Sequence, residues 1–323
     1  MKEILFTDIE GIKVGHAQDL EAGTGCTVII CEEGAVAGVD VRGGSPGTRE
    51  TDLLNPQNQV DRIHAVLLTG GSAFGLDAAS GVMKYLEERD IGFDVQVTKV
   101  PIVCGAVLFD LVVGDYRVRP NLEMGYRACA NARDDYIERG NVGAGTGASV
   151  GKFLGIGRAM KGGLGSFGYQ VGDLKVAAIV AVNALGDIID PDTGELLAGL
   201  LDEKGERLIG TERVMAELYQ EKRNVFRGNT TIGVIATNGI FTKGEANKLA
   251  SMAHNGYARA IRPAHTIFDG DTIFTMATAR VKADINVVGF LAARAMERAI
   301  VDAIKSAHSA YGLKSYRDLI SNK

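Results

Sequence analysis

A threonine hydroxyl attacks a carbonyl only when a base stands beside it, and a threonine that begins a chain carries that base as its own α-amine. A free α-amine has a pKa of about 7.7–8.0, suited to accepting a proton near neutral pH. The stretch Gly228-Asn-Thr-Thr-Ile232 raises this chemistry. A charged segment ends at Gly228, and a strand-like run, Thr231–Thr237, follows. Two readings are open. Asn229-Thr230 is the lip of a strand, or it is the bond at which the chain cuts itself. In the second, the Thr230 hydroxyl attacks the Asn229 carbonyl and the resulting ester hydrolyses. Thr230 then begins a new chain.

A second candidate is Asp269-Gly270-Asp271. Side chains alternate along a strand, so the two carboxylates point the same way with glycine between them. Charges so close repel, and one pKa should rise. An Asp-Gly turn at the surface carries such a pair harmlessly, but this pair abuts an apolar run, Thr272–Thr278. Gly145-Thr-Gly-Ala-Ser-Val-Gly151-Lys152 resembles a phosphate loop and fails in detail. Position 146 should be glycine for the required spacing, and Phe153 stands where a hydroxyl should follow the lysine. What remains is a loop of close backbone approaches, or Lys152 as a lone cation aimed into a site. The five histidines, His16, His64, His254, His265 and His308, are scattered without metal-ligand spacing, and His254 reads as structural. No G-x-S-x-G elbow is present.

The elements that must position these residues follow from pattern. Strand-like runs are Cys26–Cys31, Ala35–Val41, Ala65–Thr69, Ala106–Val113, Lys175–Val182, Thr231–Thr237 and Thr272–Thr278. Three helices are predicted: Phe74–Glu88, a helix opened by the capping box Thr242-Lys-Gly-Glu245 and closed before Pro263, and Val288–His308. Several strands follow one another without intervening helices, which predicts layered α+β rather than a doubly wound sheet. Two stretches read as irregular: the Gly-rich 141–172, and 186–228, whose charges predict a solvated, mobile segment leading into Asn229.

With 46% hydrophobic residues among 323, the chain can bury a substantial core. Its net charge of −5 without a basic stripe argues against nucleic acid as a partner. Four cysteines, Cys26, Cys31, Cys104 and Cys129, form no CxxC pair and read as reduced core thiols. The first residues lack the apolar core of a signal peptide, and no apolar run is long enough to span a bilayer. A cytoplasmic protein without membrane partners is expected.

Ordered motifs along nearly the whole chain resemble the self-processing N-terminal-nucleophile hydrolases that include the L-aminopeptidase/D-amidase/esterases, the β-aminopeptidases and the nylon-oligomer endo-hydrolases. They are Gly11-Ile-Lys-Val-Gly-His16, Val41-Arg-Gly-Gly-Ser-Pro-Gly47, Thr69-Gly-Gly-Ser-Ala-Phe-Gly-Leu-Asp77 and Gly105-Ala-Val-Leu-Phe-Asp110. Gly143-Ala-Gly-Thr-Gly-Ala-Ser149 with Lys152, Ala181-Val-Asn183, Gly228–Ile232, Ala236-Thr-Asn238 and Asp269-Gly-Asp271 continue the series.

The resemblance implies a four-layer α-β-β-α sandwich. One hydrolase domain over 1–323 is cut into 1–229 and 230–323 by cleavage between Asn229 and Thr230. It makes Thr230 the nucleophile, Asp269 and Asp271 the acidic pair that orients it, Asn183 a donor to the oxyanion, and Lys152 the lysine of threonine-type members. It implies a small amide or peptide substrate, or 6-aminohexanoate oligomers, no cofactor or metal, and a homo-oligomer, with a tetramer favoured. Threonine with Asp-Gly-Asp is similar to the nylon-oligomer enzymes, whereas many aminopeptidase members pair serine with Ser-Gly-Glu. Phe109 departs from the tyrosine those nylon-oligomer enzymes place near the site. Two alternatives stand beside hydrolysis: acyl transfer of the ornithine-acetyltransferase type, and an unprocessed binding protein of the same fold.

Overall fold

The computed structural model describes residues 1–219 and 228–320. Its main strands are β1 (Ile12–Asp19), β2 (Thr24–Val41), β3 (Arg62–Thr69), β4 (Val103–Val107), β5 (Gly163–Val171), β6 (Leu174–Val182), β7 (Ile232–Gly239) and β8 (Thr272–Val281). Its main helices are α1 (Ala78–Glu87), α2 (Leu122–Ala130), α3 (Lys243–Ala260) and α4 (Ile285–Ser306).

One hydrogen-bonded path runs Lys2–Ile4, β5, β6, β7, β8, β2, β3, β4, Thr48–Arg49, with β1 also on β2. The path folds over on itself at β2. Residues 26–30 of β2 pair with β3, residues 36–41 pair with β8, and the register shifts between Ile30 and Ala35. The expected separate runs Cys26–Cys31 and Ala35–Val41 are therefore one bent strand, and the bend makes two sheet layers from one ladder.

The layers are visible in which residues share a core. On β6, Val176, Ala178 and Val180 pack with α3 and α4, while Ala177, Ile179 and Ala181 pack with Val66 and Leu68 of the opposite layer. A strand buried on both faces loses polar alternation, which is why 175–182 reads as a continuous apolar run. Outside the second layer, Val28 and Leu67 meet Val82, Leu86 and Ala128 of α1 and α2. The order is α3/α4, sheet, sheet, α1/α2: the α+β, four-layer α-β-β-α arrangement.

The capping box holds: Thr242 accepts from the Glu245 N–H, and the Glu245 carboxylate accepts from the Thr242 N–H at 2.8 Å. The predicted Phe74–Glu88 helix is a 3-10 turn, Ser72–Asp77, followed by α1, and Val288–His308 begins earlier, as α4 from Ile285. Other expectations change. The run Ala106–Val113 is strand only as far as Val107; Leu108–Asp110 then leaves the ladder, because Asp110 is tied by the Thr24 hydroxyl (2.7 Å) and the Gly71 N–H (2.7 Å). The Gly-rich 141–172 is not wholly irregular, since it contains β5. Its glycines admit α4 against the strand: a Cβ on Gly165 would lie 2.1 Å from the Ala299 carbonyl oxygen.

The stretch 186–228 is not wholly irregular either: its described part has short strands at Asp187–Ile189 and Leu196–Ala198 and a helix at Thr211–Glu217, with 197–201 buried, while the charged Glu203, Lys204, Glu206 and Arg207 are exposed as expected. Buried Asp187 organises it by accepting from the Leu200 N–H (2.8 Å), the Thr211 N–H (2.5 Å) and the Thr211 hydroxyl (2.7 Å). The charges at Glu221, Lys222 and Arg223 lie outside the described residues. All four cysteines are buried and unpaired, and burial pushes the Cys26 thiol up to about 12. Among the described residues no helix is long and apolar enough to cross a membrane.

Candidate active site

Three neighbouring strands bring the candidate residues together. β7 runs parallel to β8 with Ile232 opposite Thr272, and antiparallel to β6 with Ile232 opposite Ala181. Extending the first register backwards sets Thr231 beside Asp271, Thr230 beside Gly270 and Asn229 beside Asp269. The last pair is bridged. Extending the second sets Thr230 beside Asn183, and the Thr230 N–H donates to the Asn183 carbonyl at 2.9 Å. The carboxylates thus flank the threonine through strand register.

Thr230 lies 5% exposed at the edge of a cavity of about 230 Å³. Ser45, Ser72, Leu108, Phe109 and Phe268 are among its walls. The Thr230 hydroxyl donates to the carbonyl oxygen of Asn229, and that oxygen also accepts from the Gly270 N–H at 3.1 Å. Gly270 has to be small: a Cβ there would fall 2.7 Å from Thr230 Oγ1 and 2.8 Å from the Ser45 carbonyl oxygen.

The two carboxylates are held by consecutive residues. Asp269 Oδ2 accepts from the N–H (2.8 Å) and hydroxyl (2.5 Å) of Thr266. Asp271 Oδ2 accepts from the His265 N–H at 3.0 Å and lies 2.9 Å from His265 Nδ1, while its Oδ1 accepts from the Thr231 N–H at 2.8 Å. Burial, reinforced by the Asp271 charge, pushes Asp269 up to about 6. This is the pKa rise expected for the pair.

Asn183 and Lys152 form a buried polar knot behind Thr230. Lys152 Nζ donates to Asn183 Oδ1 at 2.7 Å and to the Asn183 carbonyl at 3.0 Å. Asn183 Oδ1 also accepts from the Ser149 N–H at 3.0 Å, and Asn183 Nδ2 donates to the Phe109 carbonyl at 2.9 Å. Burial draws Lys152 down to about 7, against the pull of Asp269 and Asp110. The lysine is neither a phosphate-loop cation nor exposed. Phe109 forms a cavity wall, close enough to Gly228 that a Cβ there would meet its ring at 2.5 Å.

Sequence reading missed four contributors: His265, Thr266, Ser149 and the Gly270 N–H. His265 and Thr266 carry a signal, two donor side chains just upstream of Asp-Gly-Asp. It was masked because His265 looked like one of five scattered histidines. A second buried cation was also missed. Lys161 donates to the carbonyls of Gly145 (2.9 Å), Ala148 (2.9 Å) and Gly162 (3.0 Å), and so ties the loop that carries Ser149 and Lys152.

The arrangement offers a hydroxyl beside a peptide carbonyl, an N–H polarising that carbonyl, and an acidic pair beside a buried lysine. The sequence profile of Peptidase family S58 matches residues 5–317. An uncharacterized aminopeptidase of Mycobacterium leprae is 42% identical, with 96% of this chain and 92% of that protein aligned. A 6-aminohexanoate-oligomer endohydrolase of Kocuria sp. is 31% identical, with 94% of this chain and 87% of that protein aligned. The L-aminopeptidase D-Ala-esterase/amidase of Ochrobactrum anthropi, a variant of the Ntn-hydrolase fold, superposes with a TM-score of 0.71. That match covers 94% of this chain and 86% of the other, and at 19% identity what is shared is the fold.

Proposed function

The chain belongs to peptidase family S58 and is an amide-bond hydrolase, and on that premise we propose that it matures by cutting itself between Asn229 and Thr230 and then uses Thr230 as its nucleophile. The observation that carries the proposal is the double engagement of the Asn229 carbonyl oxygen, by the Thr230 hydroxyl on one side and the Gly270 N–H on the other. In maturation the Thr230 oxygen adds to the Asn229 carbonyl carbon, and the Gly270 N–H steadies the oxygen as charge develops on it. The Thr230 nitrogen leaves with a proton, an ester forms, and water hydrolyses it to an Asn229 carboxylate and a free Thr230 amine.

In turnover that amine takes the hydroxyl proton as the Thr230 oxygen attacks a substrate carbonyl in the cavity. It then protonates the leaving nitrogen, and water releases the acyl group. Asp269 and Asp271 hold the ammonium form and the strand geometry. Asn183, fixed by Lys152 and Ser149, supplies an amide donor towards the substrate oxyanion. The substrates proposed are small peptides and amino-acid amides, after the mycobacterial aminopeptidase, and 6-aminohexanoate oligomers, after the Kocuria enzyme. The working form proposed is a cytoplasmic homo-oligomer of processed chains.

Intact-mass measurement of freshly purified protein tests maturation, with a species beginning at Thr230 expected. Its absence, or a Thr230→Ala protein that still hydrolyses amides, would overturn the reading. A panel of amino-acid p-nitroanilides against linear 6-aminohexanoate oligomers then separates the substrate classes.

A further inference from the structure

The histidine behind the acidic pair has no place in the scheme above. His265 adopts φ +58°, a left-handed conformation that a residue with a Cβ seldom takes. In that conformation its N–H and Nδ1 both reach one oxygen of Asp271, at 3.0 and 2.9 Å. The other oxygen of Asp271 takes the N–H of Thr231, the residue after the proposed nucleophile. Asp271 is thereby a bridge with His265 at one end and the Thr230-Thr231 backbone at the other.

The ring itself is held from behind. It stacks on Tyr257 (5.8 Å between centroids, planes 24° apart) and meets the edge of His254 at 4.7 Å. His254 is anchored through Nε2 to the Asp40 carbonyl at 2.9 Å. Tyr257 and His254 come from α3 and Asp40 from β2, so two elements fix where Nδ1 points. His265 Nε2 is buried without a hydrogen-bond partner. An imidazole carrying its proton on Nδ1 and donating it to Asp271 fits that asymmetry.

We propose that His265 is a positioning residue for the nucleophile: its Nδ1–H locks the Asp271 carboxylate in the rotamer that holds the Thr231 N–H, and so sets the angle at which the Thr230 oxygen meets a carbonyl. This rests on Thr230 being the nucleophile. The prediction differs from that of a packing residue. Packing needs the ring, whereas positioning needs the donor.

Two substitutions separate these. His265→Phe keeps a ring against Tyr257 and His254 and removes the donor. His265→Asn removes the ring, keeps an N–H donor and tolerates positive φ. The readouts, taken on the full-length protein, are the rate of self-cleavage by intact mass, kcat and KM of the processed fraction, and the melting temperature. A misaligned nucleophile slows both reactions by about 10- to 100-fold. We expect His265→Phe to melt near the parent while cleaving and turning over that much more slowly, in kcat rather than KM. His265→Asn should recover to within a few-fold of the parent. Parent-like cleavage by His265→Phe, or equal losses in both variants, would overturn the proposal. If His265→Phe does not fold, His265→Ala takes its place, and equal rates for His265→Ala and His265→Asn overturn it. Failure of the Thr230 reading looks different, because the parent protein itself then shows no cleavage.

Discussion

Thr230 and Lys152 share one acceptor: the carbonyl oxygen of Asn183 takes the Thr230 N–H at 2.9 Å and the Lys152 ammonium at 3.0 Å. The backbone of the candidate nucleophile and a fully buried cation are therefore coupled through a single residue, whose side chain also binds that cation. Asn183→Ala removes the Oδ1 acceptor of the Lys152 and Ser149 donors together with the Nδ2 donor. Leaving buried donors unpaired costs about 1–3 kcal/mol, and loss of one oxyanion donor lowers kcat about 10²–10³-fold. Calorimetry and steady-state kinetics on the same preparation should show both effects. A variant with reduced stability and unchanged kcat would leave Asn183 as scaffold only.

Thr230→Ala removes the oxygen that touches the Asn229 carbonyl, so the chain should remain whole and inactive, with a melting temperature close to the parent's. Thr230→Ser keeps the oxygen but loses the methyl that fixes the β-branched rotamer. It should cleave to completion more slowly. A time course by denaturing gel compares the variants, and cleavage in Thr230→Ala would place the reacting oxygen elsewhere.

The candidate residues were legible where they are local. Asn229-Thr230 stood as one of two open readings and Asp269-Gly-Asp271 as a closely spaced acidic pair, and the apolar runs that follow each become β7 and β8. What placed them side by side was not legible: a parallel register offset of 40 residues, set by packing against α3 and α4. Asn183 was reached by resemblance, because its contact with Thr230 depends on the β6–β7 pairing. Lys152 was legible only as a lone cation aimed into a site; its partner, Asn183, was not. β5 was lost in the Gly-rich stretch, since glycines there serve helix packing and remove the side-chain pattern that marks a strand. α2 was lost for a related reason, its buried face being the small set Met124, Gly125, Ala128 and Cys129.

Gly270→Ala tests the site by adding rather than deleting. The new methyl would stand 2.7 Å from Thr230 Oγ1, with the Ser45 carbonyl preventing retreat to the other side. The hydroxyl must rotate away from the Asn229 carbonyl or the β7–β8 ladder must part. Self-cleavage should fall at least about 10²-fold, the size of effect a displacement of about 1 Å produces in a positioned reaction. Intact mass over days after purification measures it. Full cleavage within the parent's time would mean the hydroxyl reacts from another rotamer.

The shifted groups also predict how stability follows pH, and the two signs are opposite. Asp269, raised by burial from 3.8 to about 6, keeps its proton in the folded chain after the unfolded chain has lost it. Its contribution is full below about pH 4 and disappears as pH rises through about 6. Lys152, lowered by burial from 10.5 to about 7, has released its proton in the folded chain while the unfolded chain still binds one. Its contribution is present above about pH 10 and is lost as pH falls through about 7. Melting temperatures from pH 4 to 10, taken in a Thr230→Ala background so that the chain stays whole, read both slopes. Asp269→Asn should flatten the fall between about pH 4 and 6. Lys152→Met should reduce the rise above about pH 7, with Lys161, also lowered to about 7, supplying the remainder. An unchanged upper slope in Lys152→Met would mean that the lysine stays protonated across the range, held by Asp269 and Asp110 more firmly than burial opposes it.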